Sequence, residues 1–270
     1  MFDAWTIMDM MAQRWHWLVV GAILGGALGW LAGLMLPRPM EEWLRRRRLG
    51  DAPVPPGAVR FGDLRRLTPM SRAFGFDRGQ PVDRHYIEAF LARNASDIRG
   101  RVLEVGDATY TRHFGGQLVS RSDVLHVNDS NPHATIVADL AHGDAIPSAA
   151  FDCVILTQTL HLVYDVRAAV ATLRRILAPR GVCLITVPGI SQIDADTWRD
   201  SWYWAFTPAS LRRALAESFG TSASVQSFGN VLTASAFLYG LSASELTAEE
   251  LGVADASYPV IVAARASVGG

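Results

Sequence analysis

The hydrophobic and polar positions follow two different rules along this chain. From Trp17 to Leu36 there are 20 successive residues without a charge, WLVVGAILGGALGWLAGLML. As a helix this run would be about 30 Å long, the thickness of a bilayer core. From Arg60 onward the apolar residues instead come in short runs separated by amphipathic stretches. The runs Val102 to Gly106, Asp123 to Val127, Ala134 to Ala138, Phe151 to Thr157 and Val182 to Val187 read as strands, with two later ones at Val225 to Phe228 and Val260 to Ala264. Helical spacing marks Pro81 to Asn94, Asp165 to Leu177, a segment opened by Thr207-Pro208, and Asn230 to Leu241. Near-continuous apolar strands alternating with helices predict an α/β domain with a mostly parallel sheet covered on both faces.

Charge sharpens the reading of the first segment. Between Arg38 and Arg72 nine arginines face four acids, so the rest of a chain of net charge −1 carries about −6. Arg38 and Arg45 to Arg48 follow the apolar run, whereas Arg14 alone precedes it closely. The positive-inside rule then puts the C-terminal side in the cytoplasm. The expected organisation is a short extracytoplasmic tail (1–16), a transmembrane helix (17–37), a basic and proline-rich juxtamembrane linker (38–59), and one catalytic domain (60–270). The expected location is the inner membrane, single-pass, with that domain cytoplasmic. Gly21, Gly25, Gly29 and Gly33 fall on one helical face, where small residues admit a second helix. Nucleic acid is not an expected partner, because the basic block is short and the remainder acidic.

Composition excludes further classes. All 25 basic residues are arginine. Without lysine there is no Schiff-base chemistry and no phosphate-loop lysine. The two cysteines, Cys153 and Cys183, lie within apolar strands and build neither a disulfide framework nor a zinc site. No metal site is expected.

Ligands of parallel sheets bind at the carboxyl ends of the strands, near the reversal of strand order. After the first strand come Glu104, Gly106, Asp107 and a turn into a helix, a pattern that lets the backbone approach a nucleotide-like ligand. Asp129 follows the second strand, 23 residues beyond Gly106, where an acid can take a ribose diol. Asp139 and Leu140 follow the third, where the acid can accept from an adenine amino group while leucine packs on the ring.

On these residues the chain resembles the class I S-adenosylmethionine-dependent methyltransferases over about Arg60 to Ala266. VADLAHGDAIPSAAFDCVILTQTLHLVYD resembles the family's third and fourth strands, and LRRILAPRGVCLITVPG the next helix and fifth strand. FGFDRGQPVDRHYIEAFL, VLEVGDATYTRHFG and WRDSWYWAFTPASLRR are more closely similar to a bacterial subgroup found with glycosyltransferases in surface-polysaccharide clusters. The resemblance implies a doubly wound, seven-stranded Rossmann-like sheet whose last strand is antiparallel beside the fifth. It implies S-adenosylmethionine as cofactor, with Glu104, Gly106 and the neighbouring Asp107 at the methionine portion, Asp129 on the ribose and Asp139 with Leu140 on the adenine. Thr157 and Gln158 would face both cofactor and acceptor. One departure matters: the family loop carries two more glycines after Gly106, which DATYT replaces here. Thr109 does not readily adopt positive φ, so the loop must turn differently.

A hydroxyl acceptor benefits from a general base. His161, after the fourth strand, is the best-placed imidazole, ahead of His113 and His85; His126, inside a strand, reads as structural. Trp198, Trp202, Tyr203, Trp204 and Phe206 could stack on a sugar ring or form a lid or core. Arg78, Asp83 and Arg84 could belong to a cofactor lid or to a surface ion-pair cluster. The expected activity is methyl transfer to a glycan or lipid-linked acceptor at the cytoplasmic membrane face. Two alternatives stay open: a lipid or quinone methyltransferase, and a catalytically inactive membrane-anchored scaffold.

Overall fold

The computed structural model describes residues 54–194 and 196–269. The expected membrane segment 17–37, its glycine face and most of the basic linker lie outside the described residues. Among the described residues no helix is long and apolar enough to cross a membrane. The chain divides into two units, Met1–Asp63 and Leu64–Gly270. In the first, the described residues are exposed, with a turn in which the Ala58 N–H donates to the Pro55 carbonyl at 3.0 Å.

The second unit is built on seven strands: β1 (Gly100–Val105), β2 (Val119–His126), β3 (Ile136–Val137), β4 (Phe151–Thr157), β5 (Leu177–Pro188), β6 (Ala223–Phe228) and β7 (Ile261–Ser267). Their order is β3-β2-β1-β4-β5-β7-β6. Pairing is parallel from β3 through β5, and β7 runs antiparallel to both β5 and β6. The chain therefore winds outward from β1 in one direction and from β4 in the other, which leaves a crevice where the two halves meet.

Both faces of this sheet are covered, and the strands show why they read as continuous apolar runs. Leu103, Val154, Leu156, Cys183 and Ile185 pack on one side, against α2 (Val166–Ile176) and α3 (Pro208–Phe219). Val102, Cys153, Ile155, Val182 and Leu184 pack on the other, against α1 (Val82–Arg93) and α4 (Val231–Leu238). Successive strand residues point to opposite faces, so a strand buried on both needs apolar side chains throughout. The same alternation separates the cysteines: Cys153 and Cys183 are buried on opposite faces and both are free.

Helix starts follow their capping chemistry. The Asp165 carboxylate accepts the Ala168 N–H at 2.9 Å, Thr207 and Ser210 form a reciprocal capping box ahead of Pro208, and Asn230 accepts from Leu232 and Thr233. A short α5 (Ala248–Gly252) precedes the last strand.

Three expectations need adjustment. The helix foreseen after β1 is present but irregular, a π-helix at Thr111–Gly115 followed by a 3-10 turn at Gly116–Leu118. Gly115 lies so close to Ile98 and Val119 that a β-carbon would sit 2.5 to 2.9 Å from their atoms, which fixes this tight path. The third strand shrinks from Ala134–Ala138 to Ile136–Val137, because Thr135 Oγ1 instead accepts the Val124 N–H at 2.9 Å. Finally, α4 ends at Leu238, where the chain turns through Gly240 at φ +72.

Candidate active site

At the carboxyl ends of the parallel strands, across the β1/β4 junction, lies a cavity of about 1180 Å³. Small-molecule sites occupy roughly 300–1,000 Å³, so this one has space for two reactants. Its wall brings together eight of the nine residues singled out for chemistry: Glu104, Gly106, Asp107, Asp139, Leu140, Thr157, Gln158 and His161. Asp129 is the exception. β2 ends at His126, Asn128 closes a turn by accepting from Ser130 N–H at 3.1 Å, and Asp129 is exposed outside the cavity wall. His126, the last residue of β2, and Val127 line the cavity there instead.

Glu104 is 2% exposed, and its two carboxylate oxygens accept the backbone N–H groups of Tyr110 (3.1 Å) and Thr111 (2.7 Å). Burial pushes its carboxyl above the usual range, against the pull of those amides. The side chain is thus spent on shaping the first loop, and its share in ligand binding acts through that loop. The turn itself rests on Gly106, at φ +93, where an added β-carbon would meet nothing within 4 Å. Glycine is therefore required for backbone conformation, and the open space beside it is the cavity. Asp107 Oδ1 accepts the Thr109 N–H at 2.6 Å, and Thr109 stays out of the left-handed region. An aspartate-closed turn takes the place of the missing glycines. Asn131, not anticipated, donates from Nδ2 to the Gly106 carbonyl at 2.6 Å and ties the β2 loop to this turn.

After β3, Asp139 caps the helical turn Leu140–Ala145: Oδ1 accepts the Ala141 N–H at 2.8 Å and Oδ2 lies 3.2 Å from His142 Nδ1. Leu140 is 4% exposed beside it. After β4, Thr157 and Gln158 line the cavity, and Gln158 holds φ +46 while its N–H donates to the Thr186 carbonyl. A non-glycine residue in this region is strained, a state that persists where surroundings over-determine it.

His161 is 2% exposed, with Nδ1 buried and without a partner. Burial lowers its pKa to about 4, so the ring is neutral at pH 7. Its ring lies 4.3 Å, centroid to centroid, from that of Trp202. The His161 carbonyl accepts the N–H groups of Tyr203 and Trp204, which pins the aromatic segment onto the β4 loop. Trp198, Trp202 and Tyr203 line the cavity. Trp204 donates from Nε1 to the Val163 carbonyl and stacks with Tyr164, and Phe206 belongs to the core. The aromatic cluster thus serves as both wall and packing. His85 and His113 contact Tyr86 and Phe114 and do not line the cavity.

Arg78 pairs with Glu245 away from the cavity, whereas Asp83 and Arg84 are part of its wall. Among the described residues no group of three histidines, cysteines or acids could hold a metal ion.

The family model described as "Methyltransferase domain" matches residues 78–218, and the chain belongs to that family. It carries a methyltransferase domain, and S-adenosylmethionine is the methyl donor that the resemblance implies. A curated protein from Dictyostelium discoideum, probable polyketide synthase 5, is 32% identical over 81 residues, which are 29% of this chain and 3% of that protein's length. Among solved structures, the [4+2]-cyclase SpnF is 15% identical with TM-score 0.47, over 68% of this chain and 80% of its own. A methyltransferase from Archaeoglobus fulgidus is 13% identical with TM-score 0.48, over 73% of this chain and 100% of its own. The N-methyltransferase NodS from Bradyrhizobium japonicum WM9, solved with S-adenosyl-l-homocysteine, is 15% identical with TM-score 0.45, over 72% and 90%.

The residues present fit this donor. The space beside Gly106 admits a ligand against the backbone, Asp139 keeps acceptor capacity with a side chain 44% exposed, and Leu140 supplies an apolar surface.

Proposed function

We propose that the chain transfers the methyl group to a neutral hydroxyl of a glycan or lipid-linked glycan at the cytoplasmic membrane face. The supporting observation is the continuity of the cavity. Beyond Thr157 and Gln158 it runs on to His161, Trp198, Trp202 and Tyr203, with Asp165 and Asp194 also in its wall. Aromatic faces beside hydrogen-bond-accepting carboxylates suit a sugar ring, whose faces carry C–H groups and whose rim carries hydroxyls. Among the described residues seven carboxylates and one arginine line the cavity, which disfavours a phosphate close to the reacting atom.

The bound donor supplies an electrophilic methyl on a positively charged sulfur. The chain's residues align, exclude water and manage one proton. Asp139 and Leu140 hold the adenine end, and the Gly106 turn holds the other. The aromatic segment sets the acceptor ring against the β4 loop and screens the reacting oxygen from water. His161, neutral at pH 7, accepts the proton that leaves the hydroxyl. The uncharged run Trp17 to Leu36 and the arginines after it support placement beside a membrane, where tethering raises the effective concentration of a lipid-linked acceptor.

A lipid or quinone acceptor is favoured by one feature, the exposed ring of Tyr164 in the cavity wall. The test incubates the full chain with membranes and methyl-labelled S-adenosylmethionine, then separates lipid-linked glycans from their lipid by mild acid. Label in the released sugar supports the proposal. Label in the lipid or quinone fraction replaces it with the second reading. Folded protein that binds no donor and transfers no label would leave the scaffold.

A further inference from the structure

One helix of the domain departs from the pattern of the others. α1, α2, α3 and α5 each carry charged residues, whereas α4 (VLTASAFL) carries none. The inner side of α4 buries Ala234, Ala236 and Phe237, and Phe237 reaches the wall of the cavity. Its outer side is apolar as well, and Val231, Leu232 and Leu238 stay exposed there. Val231, Ser235 and Leu238 follow one another at helical spacing. Ser235 Oγ donates to the Val231 carbonyl at 2.8 Å, so the hydroxyl on this face is turned back onto the helix. A helix that is apolar all round is ordinarily covered on every side.

A basic loop is fastened beside it. The hydroxyl of Tyr239, directly after α4, donates to the Leu64 carbonyl at 2.6 Å, and the Tyr239 carbonyl accepts the N–H groups of Met70 and Ser71 at 2.8 and 3.3 Å. The loop between these anchors reads RRLTP, and Leu67 at its centre is fully exposed. Residues 64–72 hold three arginines, Arg65, Arg66 and Arg72, and no acid. Glu245, the first acid after α4, is paired with Arg78.

We propose that the outer face of α4 and the loop at Leu67 dock the domain on an anionic lipid surface. The apolar side chains enter the headgroup region and the arginines pair with lipid phosphates. Charge selects this occupant, since a cytoplasmic leaflet is negative and the loop is positive. So does position in the chain: the uncharged run Trp17 to Leu36 ends 28 residues before Leu64, with Arg38 and Arg45 to Arg48 between. The inference rests on the placement beside a membrane proposed above, and not on the identity of the acceptor. It gives α4 lipid on one side and the cavity on the other. Seven residues beyond Leu67, Phe74 lies in the cavity wall with its ring 6.2 Å from that of Phe237. A lipid-linked acceptor would then be presented one helix away from the reacting atoms.

The experiment reconstitutes the full chain in vesicles and reads the face itself, because the apolar run would hold any variant in the membrane. Cys153 and Cys183 are buried, so one introduced cysteine carries an environment-sensitive dye. The positions are Leu67→Cys, Leu238→Cys and, on α3 across the sheet, Arg212→Cys. In vesicles of phosphatidylcholine and phosphatidylglycerol, the dyes at 67 and 238 should shift to the blue. A shallow nitroxide lipid should quench them several-fold more than the dye at 212. If Leu238→Cys does not fold, the comparison of 67 with 212 carries the test. Arg66→Gln and Arg72→Gln should each lower the ratio of docked to undocked dye roughly fivefold, the equivalent of about 1 kcal/mol per arginine. Phosphatidylcholine alone should lower it likewise. Equal quenching at all three positions, or none, would overturn the docking face. A blue shift at 67 and 238 that persists in detergent without lipid would overturn it too, because protein would then cover the face. Intact docking in a protein that labels no lipid-linked glycan would overturn the acceptor reading alone.

Discussion

The two halves of the cavity use their polar side chains in opposite ways. On the donor side nearly every one is committed to the backbone. Glu104 holds two amides of the next turn, Asp107 and Asp139 each hold one, and Asn131 holds the Gly106 carbonyl. On the acceptor side groups are left unspent. His161 Nδ1 has no partner, Gln158 sits at φ +46, and Tyr164, Trp198 and Tyr203 present exposed rings. A side chain that shapes backbone fixes a loop for one ligand. A side chain without a partner stays open to whichever ligand arrives. The donor half is accordingly preset in shape, and the acceptor half is left more adaptable.

The strongest test removes the carboxylate on which the donor half depends. Glu104→Ala leaves two buried amides without acceptors, and each unpaired buried group costs roughly 1–3 kcal/mol. We expect a loss of roughly 3 kcal/mol or more in thermal unfolding, with donor affinity falling beyond measurement by calorimetry. Glu104→Gln retains one acceptor and should recover part of both. Normal stability in Glu104→Ala would mean that the loop is held by something other than this side chain.

The acceptor half predicts the reverse pattern, a large effect on rate and a small one on the donor. His161→Phe should cut turnover by roughly 10²–10⁴-fold while leaving the affinity for S-adenosylhomocysteine within about twofold. It should also change how stability depends on pH. The folded histidine titrates at about 4 and the unfolded one near 6.5. Between these values the unfolded chain binds more protons, so the histidine's contribution is complete above about pH 6.5 and lost as pH falls toward 4. At about 1.4 kcal/mol per unit, the wild type should lose roughly 3 kcal/mol across that window from this group. Glu104 and Asp83 are raised, and their titration opposes the trend. Chemical unfolding of wild type and His161→Phe at pH 7 and pH 5 isolates the histidine. Parallel curves would remove the basis for a buried neutral imidazole.

This asymmetry also explains what could be read from the chain. The sheet was legible because a strand buried on both faces is apolar along most of its length, as in Cys153–Leu156 and Val182–Ile185. The donor half was legible because acids and a glycine recur at strand ends with a fixed logic. Asp129 lies outside the cavity wall because β2 stops at His126 and the following turn carries the acid away from it. The Asn131 contact and the π form of the helix at Thr111–Gly115 leave little trace, since neither has a periodic signature. The pairing of Tyr203 and Trp204 with the His161 carbonyl joins residues some forty positions apart. Only the tertiary fold brings these together.

A paired substitution sharpens the donor half. Asp139→Ala removes an N-cap worth about 1 kcal/mol to its helical turn and the proposed acceptor for the adenine amino group. Donor affinity should fall roughly 10- to 100-fold. Asp129→Ala, in an exposed turn, should change affinity less than about twofold. A larger effect from Asp129 than from Asp139 would mean that the loop after β2 closes over the ligand, and would support the ribose role.

The smallest effect separates strain from function on the acceptor side. Gln158 holds a left-handed backbone that costs an ordinary residue about 1–2 kcal/mol, and its N–H is fixed by the Thr186 carbonyl. Gln158→Gly removes that cost and adds about 0.5–1 kcal/mol of backbone entropy to the unfolded chain. The net expectation is a gain of about 0.5–1 kcal/mol, which for a domain of this size raises Tm by about 1–4 °C. The same change takes a polar side chain out of the cavity wall, so turnover should fall even as the fold becomes more stable. A variant that is more stable and equally active would make Gln158 a structural accident of the β4 turn. A less stable one would mean that the glutamine side chain, and not the Thr186 bond, holds the turn in place.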